Sequence, residues 1–319
     1  MGLDDRRVWR AAPGTLAVVI VFVVAAATAV PALAYLVWTA DGGWVVPALL
    51  GTLSLLAILY AWRFGLHPRL RVDRDGVTVV NPFSTHHFAW DDVRVIAPGE
   101  NGLVVASPDA TAEAWCVQKS NFAARRGRLT RADRVTSELL DLLEEHDPPL
   151  EDEETGLRIR RARPDESRLL TRLERAASEE ALSHLFPPEE HPYPVTAVTR
   201  RWRRLLRDPR VRIFVLEHGD DPAGYVAFDD DTLRHLGVLP DHTRRGYGSA
   251  LGEFAVQEIF DGGAPWAKLW VLAGNAGARA FYATLGWTET TDRRNSEFPP
   301  APPELRLERR NPAAPRRGR

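Results

Sequence analysis

Two long uncharged runs open the chain, and short alternating runs and amphipathic stretches follow them. Thirty residues without a charged side chain separate Arg10 from Asp41, and twenty-one more separate Asp41 from Arg63. A helix of about 20 residues crosses the roughly 30 Å apolar layer of a bilayer. Each run therefore predicts a membrane span, over about 15–39 and 43–62. A helix buried in a soluble core would carry a polar stripe, and neither run has one. Only Ala40-Asp41-Gly42-Gly43 divides them, so residues 1–65 read as a tight antiparallel helical hairpin. Trp38 and Trp44 flank the loop, and Tyr60 and Trp62 close the second run, as interfacial aromatic belts do. Arg6, Arg7 and Arg10 precede the first run, and Arg63, Arg69 and Arg71 follow the second, which puts both termini on the cytoplasmic side of a multi-pass cell-membrane protein. The competing reading is a secretory signal cleaved at Ala32-Leu33-Ala34. Such signals have an apolar region of about 7–15 residues and no second span directly behind it.

From Arg69 the apolar period falls to two. Leu70-Arg71-Val72 and Val77-Thr78-Val79-Val80 flank the turn Arg74-Asp75-Gly76, a hairpin pattern. Further strands are expected over Thr85 to Trp90, Val93 to Ala97, Leu103 to Ala106 and Ala114 to Gln118, and antiparallel pairing is the economical arrangement. A helix then closes residues 66–146, with Thr130 and Asp133 as a capping pair and Val135, Leu139, Leu142 and Leu143 on one face. "VDRDGVTVVNPF" and "FAWDDVRVI", placed directly after two spans, resemble the bacterial PH-like domains of small membrane proteins. That resemblance implies a small antiparallel β-domain acting as a binding or scaffold module. His86 and His87 point to opposite faces of a strand and do not readily share a metal, and Trp90 is expected in the core. Lys119, Arg125, Arg126 and Arg128 form a basic cluster, read as a solvated loop or as a contact with anionic membrane lipid. Residues 147–156, with Asp147-Pro148-Pro149 and four successive acids, read as a linker.

Beyond it, Leu157-Arg158-Ile159-Arg160 alternates as a strand, and helices are expected from about Pro164 to Leu185 and Val195 to Arg207. Strands follow over Val211 to Leu216, Ala223 to Phe228 and Leu233 to Leu239. The last leads through Gly246-Tyr247-Gly248 into a helix whose apolar face includes Leu251, Phe254, Ala255 and Ile259. Backbone N–H groups at such a helix start, with the helix dipole behind them, suit a pyrophosphate, and Arg244 and Arg245 add positive charge. After a strand from Ala267 to Leu272 comes "NAGARAFYATLGW".

Composition bounds what these elements can do. Mean hydropathy is -0.25, an average in which some 250 polar residues mask the apolar hairpin. With 41 basic against 43 acidic residues, nucleic acid is not an expected partner. A single cysteine, Cys116, excludes an internal disulfide or a thiolate metal cluster, and no metal is expected.

The strand-turn-helix block around Gly246 and the "NAGARAFYATLGW" block, in their order and spacing, resemble the GNAT superfamily of acyl-CoA-dependent N-acetyltransferases over residues 157–310, leaving 311–319 as a basic tail. The resemblance implies an α+β fold, a mixed central sheet flanked by helices, with acetyl-CoA as co-substrate and direct attack by a primary amine. One departure stands out: the position of the family's leading Gln or Arg holds Thr243, with Arg244 and Arg245 next to it. By the same resemblance Leu236, Gly237, Val238, Arg244, Arg245, Gly246, Tyr247, Gly248, Ser249 and Asn275 contact the co-substrate, and Asn275 also caps a helix. Tyr282 occupies the general-acid position. His235, with an ordinary pKa near 6.5, is the candidate base, and Asp230, Asp231, Glu190 and His191 are its rivals. "TRRWRRLLRD" reads as a helix with a solvated basic face. Cys116 lies in the other domain without a matched His or Asp, so no covalent route is expected. The alternatives of another class are an acyl-CoA sensor without turnover and a protein whose PH-like module carries the biological role.

Overall fold

The computed structural model describes residues 7–41, 43–99, 102–107, 109–118, 128–146, 150–152, 156–179, 181–208 and 210–314. Lys119, Arg125 and Arg126 of the basic cluster, and most of the basic tail, lie outside the described residues. The chain divides into two compact units, Met1–Asp147 and Pro148–Arg319.

In the first unit, strand β1 (Arg7–Arg10) precedes helices α1 (Pro13–Asp41) and α2 (Val45–Ala61), and a π turn (Trp62–Leu66) continues the second helix. Within Pro13–Ala40 and Val45–Leu66 the most apolar 18-residue windows have mean hydropathy 2.7 and 2.0, and both helices are long and apolar enough to cross a membrane. They pack on each other, with the Ser54 hydroxyl donating to the Ala26 carbonyl, and most of their large apolar side chains face outward.

Strands β2 (Arg69–Asp73), β3 (Gly76–Val80) and β4 (Thr85–Ala89) continue an antiparallel sheet in the order β1-β2-β3-β4. The sequence assigns residues 1–65 to the hairpin alone, whereas β1 pairs with β2 from Arg7↔Val72 to Arg10↔Arg69. The two outer ends of the hairpin are therefore hydrogen-bonded neighbours. Strands β5 (Val95–Pro98), β6 (Leu103–Ala106) and β7 (Thr111–Ala114) form a second antiparallel sheet. The expected strand from Ala114 to Gln118 is displaced: Ala112 and Ala114 supply the buried alternation, and the chain turns at once, with Val117 N–H on the Ala114 carbonyl. Trp90 is core as expected, 2% exposed.

Helix α3 (Arg131–His146) buries Val135, Leu139, Leu142 and Leu143 against these sheets. Its start is a reciprocal cap: Thr130 N–H donates to Asp133 Oδ2 (2.6 Å) and Asp133 N–H to Thr130 Oγ1 (3.3 Å). Thr130→Ala is expected to destabilise the first unit by about 1 kcal/mol, measured as a shift in its urea midpoint; no shift would remove the cap from the account.

The second unit is one eight-stranded sheet with helices on both faces. In chain order it comprises β8 (Leu150–Asp152), β9 (Leu157–Arg161), α4 (Ser167–Glu179), α5 (Val195–Leu205), β10 (Arg212–His218), β11 (Asp221–Phe228), β12 (Thr232–Val238), α6 (Tyr247–Asp261), β13 (Trp266–Leu272), α7 (Ala276–Thr284), β14 (Thr288–Asn295) and β15 (Pro303–Arg310). Strand order is β14-β15-β13-β12-β11-β10-β9-β8. Only β12 and β13 run parallel; every other pair is antiparallel. Three features depart from the sequence reading. β8, inside the segment read as a linker, pairs with β9. α4 ends at Glu179, six residues short of the expected Leu185, ahead of a proline-rich loop. The sequence pattern does not predict β14 and β15. β14 (Thr288–Asn295) lacks an apolar alternation, while Leu305 and Leu307 of β15 are buried on its pairing with β13.

The sheet has two distinct faces. Ile213, Val215, Tyr225 and Ala227 pack under α4 and α5, and Phe214, Leu216, Val226 and Phe228 pack under α6. The alternation follows from the period of two in a strand.

Candidate active site

The parallel pair at the centre opens the site. β12 and β13 are hydrogen-bonded only at Thr232↔Lys268 and Leu233↔Leu269, although β12 continues to Val238 and β13 to Leu272. On its other edge β12 stays paired to β11 as far as Gly224↔Val238. Leu239 N–H donates to the Ala223 carbonyl (2.8 Å), so by alternation the backbone of Gly237 faces β11 and that of Leu236 and Val238 faces the gap. Two of the three strand residues assigned to the co-substrate thus offer main-chain groups to a ligand. Gly237 has another reason to be glycine, because a Cβ there would stand 2.6 Å from the Tyr225 ring.

At the end of β12 the chain turns into α6. Gly246, at the N-cap, has φ +86 and Arg244 φ +59, and Thr243 Oγ1 donates to the Pro240 carbonyl (2.8 Å). Thr243, which replaces the family's longer side chain, is therefore used within the turn. The first helical bond is Ala250 N–H to Gly246, which leaves the N–H groups of Tyr247, Gly248 and Ser249 directed out of the helix start. Tyr247 contributes only its backbone, since its ring is buried and stacked on His242 at 5.7 Å. Arg244 and Arg245 are exposed beside these amides. These free amides and the two arginines beside them fit an anionic group such as a pyrophosphate. Gly246→Val forces a β-branched residue into a left-handed conformation costing about 1–3 kcal/mol. It is expected to raise the acetyl-CoA dissociation constant about tenfold by calorimetry, and unchanged affinity would discard the turn as the anion site.

Beside this gap lies a cavity of about 750 Å³ lined from α4, the 182–194 loop, α5, β12, β13, α7 and the segment after β14. It brings together Tyr282, His235, Leu236 and Asn275, and also Glu190 and His191; Asp230 and Asp231 do not line it. The Asp231 carboxylate is occupied by Lys268 (2.7 Å) and Thr232 (2.6 Å), and the hydrogen bond from Lys268 holds its pKa down. Asn275 accepts from the Ala278 N–H (3.0 Å) and caps α7. Tyr282 is 9% exposed, in edge contact with Trp287 at 6.0 Å, and burial pushes its pKa well above that of an exposed tyrosine.

His235 does not meet the expectation of a pKa near 6.5. Its ring lies 5.0 Å from that of Trp202, and burial, then Arg201, Arg234 and Arg294, push its pKa down to about 3. It stays neutral at physiological pH and can accept a hydrogen bond, but it is too weak a base to hold an amine's proton. Below pH 6.5 the unfolded chain binds a proton at this ring that the folded chain refuses until about pH 3. Stability is therefore lost as pH falls through that window, by up to about 1.4 kcal/mol per pH unit. His235→Leu is expected to flatten the fall in urea midpoint between pH 6.5 and 5; an identical slope in the variant would show that the ring titrates normally.

The cavity also holds residues that the sequence reading missed. The Glu174 carboxylate on α4 accepts both from the Arg201 guanidinium and from Trp202 Nε1 (2.7 Å) on α5. Arg201 sits in the helix read as a solvated basic face, yet its side chain is only 13% exposed, while Arg200 and Arg204 are in solvent or at its edge. The spacing of Val198, Trp202 and Leu205 marked a buried stripe that runs beside Arg201. Tyr193 places a buried hydroxyl on the same wall, and burial, then the Glu174 charge, push its pKa up. It lies three residues after Glu190 in the loop that supplied two of the base candidates, so the loop was legible and this residue was not. Cys116 is in the other unit, and burial pushes its thiol up to about 11, away from the thiolate a nucleophile needs.

Residues 168–287 match the acetyltransferase (GNAT) family, and residues 67–114 match the bacterial PH domain. Over 70 residues the chain is 43% identical to the ribosomal protein bS18-alanine N-acetyltransferase of Escherichia coli (strain K12), covering 22% of this chain and 47% of that one. Over 92 residues it is 37% identical to the enzyme of the same name from Salmonella typhimurium (strain LT2), covering 29% and 57%. The chain spans about half the length of the curated relatives it matches. Among solved structures, an acetyltransferase from Thermus thermophilus is 27% identical, covering 49% of this chain and 97% of that one with a TM-score of 0.38. The ribosomal-protein-S18-alanine N-acetyltransferase from Escherichia coli is 23% identical, covering 51% and 99% with a TM-score of 0.39.

Proposed function

We infer, from the match of residues 168–287 to the GNAT acetyltransferase family and of residues 67–114 to the bacterial PH domain, that this protein is a membrane-anchored acetyl-CoA-dependent N-acetyltransferase whose acceptor is a primary amine. The observation that carries the reading is the gap between β12 and β13, beside the left-handed turn at Gly246 and with Tyr282 on the adjoining cavity. Main-chain groups of Leu236 and Val238 hold and polarise the thioester arm, and the N–H groups at the start of α6 hold the pyrophosphate. In the reaction a neutral amine forms a C–N bond at the thioester carbonyl, the C–S bond breaks, and the acetyl group leaves as an amide. Tyr282 gives its proton to the departing sulfur. Burial keeps this phenol protonated until the thiolate forms beside it, and the tyrosinate left behind regains a proton from solvent before the next turnover. The amine's own proton passes to the loop that carries Glu190 and His191, neither of which has an ion pair among the described residues. His235 serves as a neutral acceptor that orients the amine. The names of the relatives, alanine N-acetyltransferases of a ribosomal protein, make the amine of a protein's alanine the first acceptor to try.

The two apolar helices anchor the chain, and the pairing of β1 with β2 ties the outer ends of the hairpin to one side. Both termini are then cytoplasmic, where acetyl-CoA is at hand. A C-terminal reporter active only outside the cytoplasm should stay silent, and an active one would sink this topology. For the activity, full-length protein in detergent is given acetyl-CoA and a set of peptide and small amines, and thiol release is read. Release that requires an amine is the expected result. Acetyl-CoA binding without release for any amine would make the domain a sensor instead.

A further inference from the structure

Among the described residues no large apolar side chain is more exposed than Phe83, at 75%, and it lies in neither apolar helix but in the turn between β3 and β4. The register of the first sheet says where that turn sits. Arg10, Arg69, Val80 and Thr85 stand side by side across one end of β1-β2-β3-β4. β1 leads from that end into α1, and the π turn that continues α2 returns to it ahead of β2. The end that carries Phe83 is therefore the end to which both apolar helices are attached. The turn with Arg74, Asp75 and Gly76 lies at the other end, one five-residue strand or about 16 Å away.

Phe83 is also continuous with the second helix. Its ring meets Phe64 edge-on at 5.3 Å, and Phe64 stacks on Tyr60 at 4.4 Å, so aromatic rings run unbroken from the end of α2 to the turn. The Arg63 guanidinium stands 5.5 Å from the centre of the Phe83 ring. The turn itself is braced from below. Asn81 N–H donates to the Ser84 carbonyl (2.8 Å), Asn81 Nδ2 to the Glu113 carbonyl (2.8 Å), and Trp115 N–H to Asn81 Oδ1 (3.2 Å). A buried asparagine thus fixes the backbone that holds the Phe83 ring in the open, and Trp115, on the neighbouring segment, is itself 47% exposed. A single exposed phenylalanine is ordinary. Aromatic rings and arginines gathered on a fixed surface at the end of an apolar helix have the composition of a membrane interface.

Resting on the reading of α1 and α2 as a membrane anchor, we propose that the turn between β3 and β4 is a wedge that inserts Phe83 into the cytoplasmic interface of the lipid bilayer. Trp115 and Arg63 lie at headgroup level beside it. Lipid is the occupant because Tyr60 and Phe64, to which the ring is joined, already stand where the second helix leaves the apolar layer. The Arg63 stem lies along apolar surface while its head meets lipid phosphate. The wedge adds a third point of attachment to the two at which the chain enters and leaves the membrane, and three points fix the tilt of the β-domain on the surface.

The test places a nitroxide on the full-length chain through Phe83→Cys and, separately, through Val24→Cys in α1 and Asp75→Cys at the far turn. The protein is held in nanodiscs of equal parts phosphatidylcholine and phosphatidylglycerol. Cys116 is 2% exposed, and the unsubstituted chain treated in parallel sets the background. Depth is read from the balance of collisions with oxygen, which concentrates in lipid, and with a nickel chelate, which stays in water. The label at position 83 is expected about 5–10 Å inside the headgroup boundary, that at position 24 in the hydrocarbon, and that at position 75 in water. A label at 83 as open to the chelate as that at 75, with position 24 in hydrocarbon, overturns the wedge and leaves the anchor standing. A label at 83 closed to both reagents means that protein, from this chain or a second copy, covers the turn, and this too overturns the wedge. A label at 24 open to the chelate overturns the anchor and the wedge together.

Discussion

Replacing Tyr282 by phenylalanine is expected to lower kcat for the proposed acetyl transfer by about 10²–10⁴-fold and to leave acetyl-CoA affinity unchanged. The change removes one oxygen from a ring that is already buried against Phe281 and Trp287, so packing is retained. It also removes the one proton source that the proposed site supplies to the sulfur. The phenol has no protein hydrogen bond among the described residues, so no network collapses when it goes. Single-turnover thiol release and calorimetric titration with acetyl-CoA separate the two effects. A loss of affinity equal to the loss of rate would show that Tyr282 holds the ligand and not the leaving group. An unchanged rate would move the acid elsewhere in the cavity.

Trp202→Ala is expected to cost the C-terminal unit about 3–5 kcal/mol, the usual range for truncating a large aromatic in a core. Trp202 is completely buried, contacts Tyr225 edge-on at 5.4 Å and His235 at 5.0 Å, and donates to Glu174 at 2.7 Å. Its loss leaves a void beneath the cavity and takes one donor from the carboxylate that neutralises Arg201. At about 2–4 °C per kcal/mol for a domain of this size, the melting temperature should fall by roughly 10 °C. Calorimetry of the detergent-solubilised protein measures it, and a drop of only a degree or two would mean that the ring is not the keystone between α5 and the sheet. Because His235 leans on the same ring, the variant should also shift the pH range over which stability declines.

The elements legible in the sequence are those whose cause is local. The uncharged runs, the capping pair at Thr130 and Asp133, the apolar stripe of α6 and the asparagine cap of α7 each lie within a few residues of the groups they satisfy. The turn at Gly246 is equally local, because only a residue without a Cβ adopts φ +86 at little cost. The features that were not legible depend on partners far along the chain. β1 is only four residues long and is a strand because β2 offers an edge sixty residues later. β14 is mostly exposed and is ordered by β15. Arg201 looks like one more cation in an arginine-rich helix until Glu174 from α4 and the sheet below enclose it.

The sequence by itself determined the order of the chain, two apolar helices, a small antiparallel β-domain and a mixed α+β domain whose residues 168–287 match the GNAT acetyltransferase family, together with the positions of the Gly246 turn and of Tyr282. Periodicity, charge and glycine geometry are written residue by residue. Only the tertiary structure decided what each charged or polar group in the cavity is worth. It pushed His235 down to a pKa of about 3 and took Arg201 out of solvent against Glu174. Those properties are sums of burial and of Coulomb interactions with groups from separate segments, and they come into being only when the segments meet.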